Sequence, residues 1–279
     1  MSNSLSIPLI NPSSISSKNL RDLMDIGFCY VPLPESLLET IKTSVQVARQ
    51  FFQTDSEGKI TYKLQDKVTR GERYQGYVVR SQSANTNAIE QFFFNPLTPF
   101  GIYENYSAQI KHINDYFSQA IFLPLMQALF KQLKFSDTDF TEATHEPRRY
   151  LVFQRYLATG EHKTAIRLNQ HKDFGLLTVV FFEESGLEVL HEKEWIGILP
   201  KANHAVVNVG NALELMSGGQ CHSAIHRVIN TTDNRMSMVY FFNANYQQPL
   251  KNYVNNDTLF PSGEVFFKQQ AVEYYQADR

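Results

Sequence analysis

Cysteine is scarce: the 279 residues include only Cys29 and Cys221. That is too few for a disulfide framework and suits a reducing compartment, so both are read as plain thiols. No stretch approaches the roughly 18 apolar residues of a spanning helix. The opening MSNSLSIPLINPSS lacks the basic and then apolar order of an export signal, so a cytoplasmic protein without a membrane association is expected. Charge of one sign is missing as well. With 26 basic and 28 acidic side chains the net charge is −2, and without a run of Lys and Arg the electrostatic footprint of a nucleic-acid binder is absent. The chain shows no internal repeat, low-complexity tract or flexible linker. Its length fits one large β-rich domain with helical additions, or two intimate lobes.

Aromatics, in contrast, are plentiful. The 21 Phe and 14 Tyr fall largely in strand-like runs, where such side chains fill cores or line pockets. KNLRDLMDIG predicts a short helix stopped by Gly27, with a strand over Phe28 to Val31 closed by Pro32 and Pro34. From Ser36, taken as an N-cap, the positions Leu37, Leu38, Ile41, Val45, Ala48, Phe51 and Phe52 recur at helical spacing. Residues 55–83 read as a polar loop and rim, followed by a short strand or turn near Phe92 to Phe94. A second helical stripe runs through Ile110, Ile113, Phe117, Ile121, Leu125, Leu129 and Leu133, with a kink or break at Pro124. Beyond Arg149 come YLVFQRYLA, LLTVVFF, LEVLH, WIGILP, AVVNVG, IHRVI and SMVYFF. Seven short strands in close succession predict a sandwich or barrel-like jelly roll. The expected division is a mostly helical region, 1–140, packed on a catalytic β domain, 141–279.

Side chains two apart on an extended strand point to the same side, so His171 and Asp173 in NQHKDFG can reach one ion. With His226 in CHSAIHRVI they make two imidazoles and a carboxylate on one face of a metal. That is the 2-His-1-carboxylate set of non-haem Fe(II) oxygenases, with open positions opposite. Arg235 and Ser237, again two apart, put a guanidinium and a hydroxyl on one face of another strand, an arrangement suited to a small carboxylate. Taken singly, His171 is a satisfied buried histidine, Asp173 a turn cap, and Arg235 with Ser237 an exposed pair. Taken in order they point to a metal site. His112, His145, His162, His191 and His204 read as surface, loop or inter-strand groups. His222 competes for the site, because four residues separate it from His226. The upstream glycines and the following Val228 and Ile229 favour a strand, however, on which positions 222 and 226 stand about 13 Å apart.

The ordered set from His171 to Ser237 (H-x-D, G-L-x-V, a Trp, V-N-x-G, a Gly-containing turn, H-R-V and R-x-S) resembles the isopenicillin N synthase-like branch of the Fe(II)/2-oxoglutarate-dependent dioxygenases. SIPLI, MDIGFCYV and ARQFFQTDSEGK resemble that family's N-terminal segments. The resemblance implies a double-stranded β-helix, or jelly roll, flanked by N-terminal helices, with His171, Asp173 and His226 as Fe(II) ligands. It implies that Arg235 and Ser237 hold the distal carboxylate of 2-oxoglutarate with help from Tyr156. The implied reaction couples oxidative decarboxylation of 2-oxoglutarate, by dioxygen, to succinate and CO2 with oxidation of a substrate C–H bond. Gln154 stands where the family has Asn, Asn211 where it has Asp, and VPLPESL replaces an Asn-His-Gly stretch. Halogenating members carry a small residue at the position of Asp173, so hydroxylation, desaturation or cyclisation is expected here.

Two alternatives stay open on the sequence: a family member that does not consume 2-oxoglutarate, and a non-catalytic jelly-roll ligand or metal sensor. The expected partner is a small molecule, an amino acid or specialised metabolite, contacted from among Arg73, Tyr77, Phe92, Phe94, Arg155, Arg167, Phe242 and Asn243.

Overall fold

The computed structural model describes residues 6–63, 75–80, 89–157, 166–229 and 235–277. The first helix, α1 (Ser17–Ile26), starts where the Ser16 hydroxyl accepts the Asn19 N–H and ends at Gly27, whose φ is +79°. Only glycine fits there: a Cβ would approach the His222 carbonyl oxygen to 2.5 Å. Strand β1 (Phe28–Pro32) follows, and then α2 (Glu35–Gln53). Every position of the predicted α2 stripe is buried. Its N-cap, however, is Pro34 with no capping side chain, which places Ser36 inside the first turn.

The segment expected as loop and rim holds α3 (Ser56–Ile60), capped by Asp55, and β2 (Gly76–Arg80). Strand β3 (Ile89–Phe94) is buried along its whole length. Apolar side chains on both of its faces hide the alternation that marks a half-buried strand. The second helical stripe is real but interrupted: α4 (Ser107–Tyr116), a wide π turn at Phe117–Phe122, and α5 (Leu123–Gln132). Pro124 has no N–H and its ring crowds the carbonyl four residues back, so the helix widens just before it instead of ending. Helix α6 (Asp137–Thr144) is closed by a Ser136/Asp139 capping box.

The β region comprises β4 (Arg148–Tyr156), β5 (Ile166–His171), β6 (Leu177–Phe182), β7 (Leu187–His191), β8 (Glu194–Ile198), β9 (His204–Val209), β10 (His226–Ile229) and β11 (Met236–Asn243). All seven predicted strands are present. β5 is additional, and its polar sequence IRLNQH explains why pattern alone passes over it. Helix α7 (Asn211–Met216) separates β9 from β10, and the hairpin β12 (Leu250–Asn252) and β13 (Asp257–Phe260) leads to α8 (Gly263–Ala277).

One antiparallel sheet runs β1-β9-β6-β11-β4-β3-β2 and a smaller one β5-β10-β7-β8. These are the two leaves of a jelly roll. Strands before residue 141 complete the large sheet, with β1 pairing β9 and β3 pairing β4. Its outer face packs on the helices, where Phe242 stacks on Phe122 of the π turn at 4.3 Å with rings 6° apart. Its inner face and the small sheet enclose a second apolar cluster that includes Phe28, Ile89, Tyr156, Val189 and Val228. Among the described residues no helix is long and apolar enough to cross a membrane.

Candidate metal centre

His171 is the last residue of β5 and His226 the first of β10, and the two are direct cross-strand partners. Two histidines 55 positions apart in the chain thus meet at one end of one sheet, their ring centroids 4.3 Å apart. The two strands are neighbours in the small sheet. Asp173 does not continue β5 as the spacing suggested. Its carbonyl accepts the Asn211 N–H at the start of α7, which draws the backbone out of the sheet into a loop. The carboxylate still arrives beside both rings, with Oδ1 3.8 Å from His171 Nε2 and 3.7 Å from His226 Nε2.

Both rings are aimed by their other nitrogen. His171 Nδ1 lies 2.8 Å from the Asn169 carbonyl and His226 Nδ1 3.2 Å from the Ala224 carbonyl. A carbonyl can only accept, so each Nδ1 carries the proton and each Nε2 presents a lone pair. Burial, followed by the neighbouring His226, pushes the His171 pKa down to about 4. It is therefore neutral, the form that binds a metal. Burial raises the Asp173 pKa, but the two histidines and the Asn208 amide outweigh it and hold the carboxyl below its usual range. Asn208 Nδ2 donates to Asp173 Oδ2 at 2.8 Å, leaving Oδ1 toward the histidines. The Phe28 ring meets His226 edge-on at 5.5 Å. Ligand atoms of His171, Asp173 and His226 all lie within 4.8 Å of one another. Two neutral imidazoles and an ionised carboxylate so disposed fit Fe(II), with coordination positions left open.

The three groups line a cleft between the sheets whose walls also include Arg235, Ser237, Tyr156 and Gln154. Arg235 precedes β11 and is 2% exposed. Its Nε donates to the Ser185 carbonyl at 3.2 Å, and its guanidinium lies over Tyr156 at 4.6 Å and Phe182 at 5.4 Å. The Nη1 atom is buried without a hydrogen-bond partner, a costly state that a carboxylate would relieve. The Tyr156 hydroxyl donates to Gln154 Oε1 at 2.8 Å and stands 3.5 Å from Ser237 Oγ. Gln154 thus orients the tyrosine directly, and the change from Asn leaves the group intact. The other departure, Asn211, donates to Gln270 Oε1 at 2.6 Å and ties α7 to α8.

His222 is exposed and sits 3.2 Å from Glu214, outside the cluster. It is excluded for a different reason from the one expected, since residues 222–225 are loop and β10 begins at His226. His112 and His145 are exposed and His191 and His204 partly so, while His162 and Arg73 lie outside the described residues. Among the other pocket candidates, Phe92, Phe94 and Phe242 belong to the helix-side core and Tyr77 packs with them. Arg155 pairs with the buried Glu90 at 2.7 Å, a carboxylate that also holds Lys59 and the Tyr77 hydroxyl. Arg167 and Asn243 are buried and do not line the cleft.

Sequence reasoning missed two supports. Asn208 was visible only as part of the V-N-x-G motif. Glu214, of α7, has no signal in the sequence, yet it grips both ligand-bearing segments: Oε2 accepts from Lys172 Nζ at 2.5 Å and Oε1 from the Ser223 N–H at 3.0 Å.

A family profile described as the 2OG-Fe(II) oxygenase superfamily matches residues 149–244. Thebaine 6-O-demethylase of Papaver somniferum is 29% identical over 256 residues, covering 83% of this chain and 67% of its own. Protein DMR6-LIKE OXYGENASE 2 of Arabidopsis thaliana is 26% identical over 263 residues, covering 85% and 72%. Among solved structures, a full-length Neurospora crassa protein in complex with alpha-KG and 5-formyluracil superposes with a TM-score of 0.78 at 18% identity, covering 98% of each chain.

Proposed function

Because the chain belongs to the 2OG-Fe(II) oxygenase superfamily, whose members are oxidoreductases using Fe(II), 2-oxoglutarate and dioxygen, we propose that His171, Asp173 and His226 hold the iron. Arg235, Ser237 and Tyr156 hold the distal carboxylate of 2-oxoglutarate. The observation that carries this reading is one cleft with a metal-ready triad at one place and, at another, a buried arginine nitrogen that lacks a partner.

When bound, Fe(II) would let dioxygen act as the oxidant, two of its four oxidising equivalents converting 2-oxoglutarate to succinate and CO2 and the other two being spent on a substrate C–H bond. The chain's own residues do the rest. The Asn169 and Ala224 carbonyls hold the imidazole protons on Nδ1. Asn208 fixes which carboxylate oxygen faces the metal. The guanidinium, stacked on Tyr156, offers a planar donor that a lysine cannot imitate. Val180, Val239 and Phe241 line the remaining cleft wall and keep water from the reacting centre. Asp173 fills the third ligand position, which directs the chemistry to hydroxylation, desaturation or cyclisation rather than halogenation.

The substrate we propose is an amino acid or specialised metabolite of small size, oxidised by a catalytic unit at 141–279 that residues 1–140 support. A cytoplasmic setting is our reading of two free, buried cysteines. The test is aerobic incubation with Fe(II) and 2-oxoglutarate: stoichiometric succinate is expected. Asp173→Ala should lose iron binding, and a variant that keeps both iron and turnover would refute the triad.

A further inference from the structure

The inner face of the large sheet continues past the cleft, and its next rung carries a charge. On β11 and β4 the paired positions are Ser237 with Gln154, Val239 with Val152, Phe241 with Tyr150, and Asn243 with Arg148. Gln154, Ser237, Val239 and Phe241 line the iron cleft. From Ser237 to Asn243 is six residues, or about 20 Å along the strand. Arg148 therefore lies one rung beyond Phe241 on the strand pair that floors the cleft, at the end away from Arg235, where it lines a separate pocket with Phe122, Thr144 and Glu146.

Aromatic rings connect the triad to this arginine. Phe174 follows the ligand Asp173, and its ring meets Phe267 of α8 at 5.7 Å. Phe267 meets Tyr246 at 5.5 Å. The Arg148 guanidinium lies over Tyr246 at 5.7 Å and over Tyr150 at 5.4 Å, and its Nε donates to the Tyr150 hydroxyl at 3.3 Å. Its Nη2 is buried and has no hydrogen-bond partner. No carboxylate among the described residues pairs with Arg148, and the nearby acid of α8, Glu264, is taken by Lys268 at 2.7 Å. A guanidinium stacked between two tyrosines, with one face of its donor fork unused, is prepared for a planar anion.

We propose that Arg148 anchors the substrate through a carboxylate, and that the substrate is a small carboxylic acid with a flat, preferably aromatic, body lying along Phe174, Phe267 and Tyr246. The proposal rests on the oxygenase assignment and names the substrate class of that same site. An acid held at the Arg148 end presents its opposite end to the triad, so oxidation falls on a carbon remote from the carboxylate.

Calorimetry under argon on the protein loaded with Fe(II) and 2-oxoglutarate tests it, with 4-phenylbutanoate and its uncharged amide as probes. The carboxylate should bind tighter than the amide by about tenfold or more, as expected for a charge-assisted bidentate contact. Arg148→Met should bring the two probes level, and Arg148→Lys should keep part of the difference. Equal binding of the two probes to the unaltered protein overturns the proposal, as does a failure of the carboxylate to bind or a preference that survives in Arg148→Met. The unaltered protein carries the main comparison, so a poorly folding variant does not blunt it. Titration of 2-oxoglutarate into the Fe(II)-loaded protein reports separately on the oxygenase assignment, which fails if that binding is absent.

Discussion

At the scale of single residues, the proposed metal site depends on groups outside the triad. Asn208 commits one oxygen of Asp173, and its loss frees the carboxylate to rotate away from the histidines. Asn208→Ala should weaken iron binding by about 10- to 100-fold, the usual effect of removing an outer hydrogen-bond partner, while Asn208→Asp adds a second buried anion and should do worse. Metal titration followed by absorbance measures both. Arg235→Lys keeps the charge but loses the planar fork and the stacking on Tyr156 and Phe182. We expect the 2-oxoglutarate KM to rise by about tenfold or more with iron affinity unchanged. An unchanged KM would move the cosubstrate pocket elsewhere.

At the scale of elements, α7 is a clamp. Glu214 reaches Lys172, between His171 and Asp173, and Ser223, three residues before His226. Glu214→Gln retains an acceptor and should keep most iron binding. Glu214→Ala should loosen both segments and lower metal affinity more than it lowers stability, a split that chemical denaturation and metal titration resolve together. The π turn has a packing role, because Phe242 of β11 stacks on its Phe122. Phe242→Ala should cost about 3–5 kcal/mol of stability through the cavity it leaves, with 2-oxoglutarate affinity retained in the folded fraction.

The same elements show which features the sequence displays. The H-x-D, H-R-V and R-x-S groups were legible because metal and carboxylate chemistry restrict residue types strongly, and the seven apolar strands because burial on a sheet leaves runs of Val, Leu and Phe. β5 escaped notice, since IRLNQH is largely polar and holds no run of Val, Leu or Phe. Glu214 escaped as well: its meaning comes from two loops that only the fold brings to it. Of the kink or break expected at Pro124, the chain shows a π turn without a break, because tertiary packing of Phe117, Ile121 and Phe122, all buried, holds it helical across the proline.

At the scale of the whole molecule, the jelly roll sets one line of chemistry between its sheets. Arg235 and the triad line one cleft, and the substrate proposal extends that line through Phe174, Phe267 and Tyr246 to Arg148. The N-terminal region takes part through β1, which brings Phe28 against His226, and through β3 beside β4. Cutting the chain near residue 141 would expose two strand edges and strip Phe28 from the site. The isolated 141–279 fragment should therefore aggregate or fail to bind iron, as light scattering and metal analysis would show.

His171 sits on β5, an edge strand of the small sheet among the described residues, and its ladder with β10 has register shifts just beyond the His226 pair. An ion shared by both strands and the Asp173 loop would rivet this weak margin. Hydrogen exchange should reveal it: amides of β5 should exchange markedly faster without Fe(II), while those of β11, paired on both sides, should barely respond. Cofactor loss would then open the edge of the sheet first, exposing the site to solvent and proteases before the rest of the fold yields.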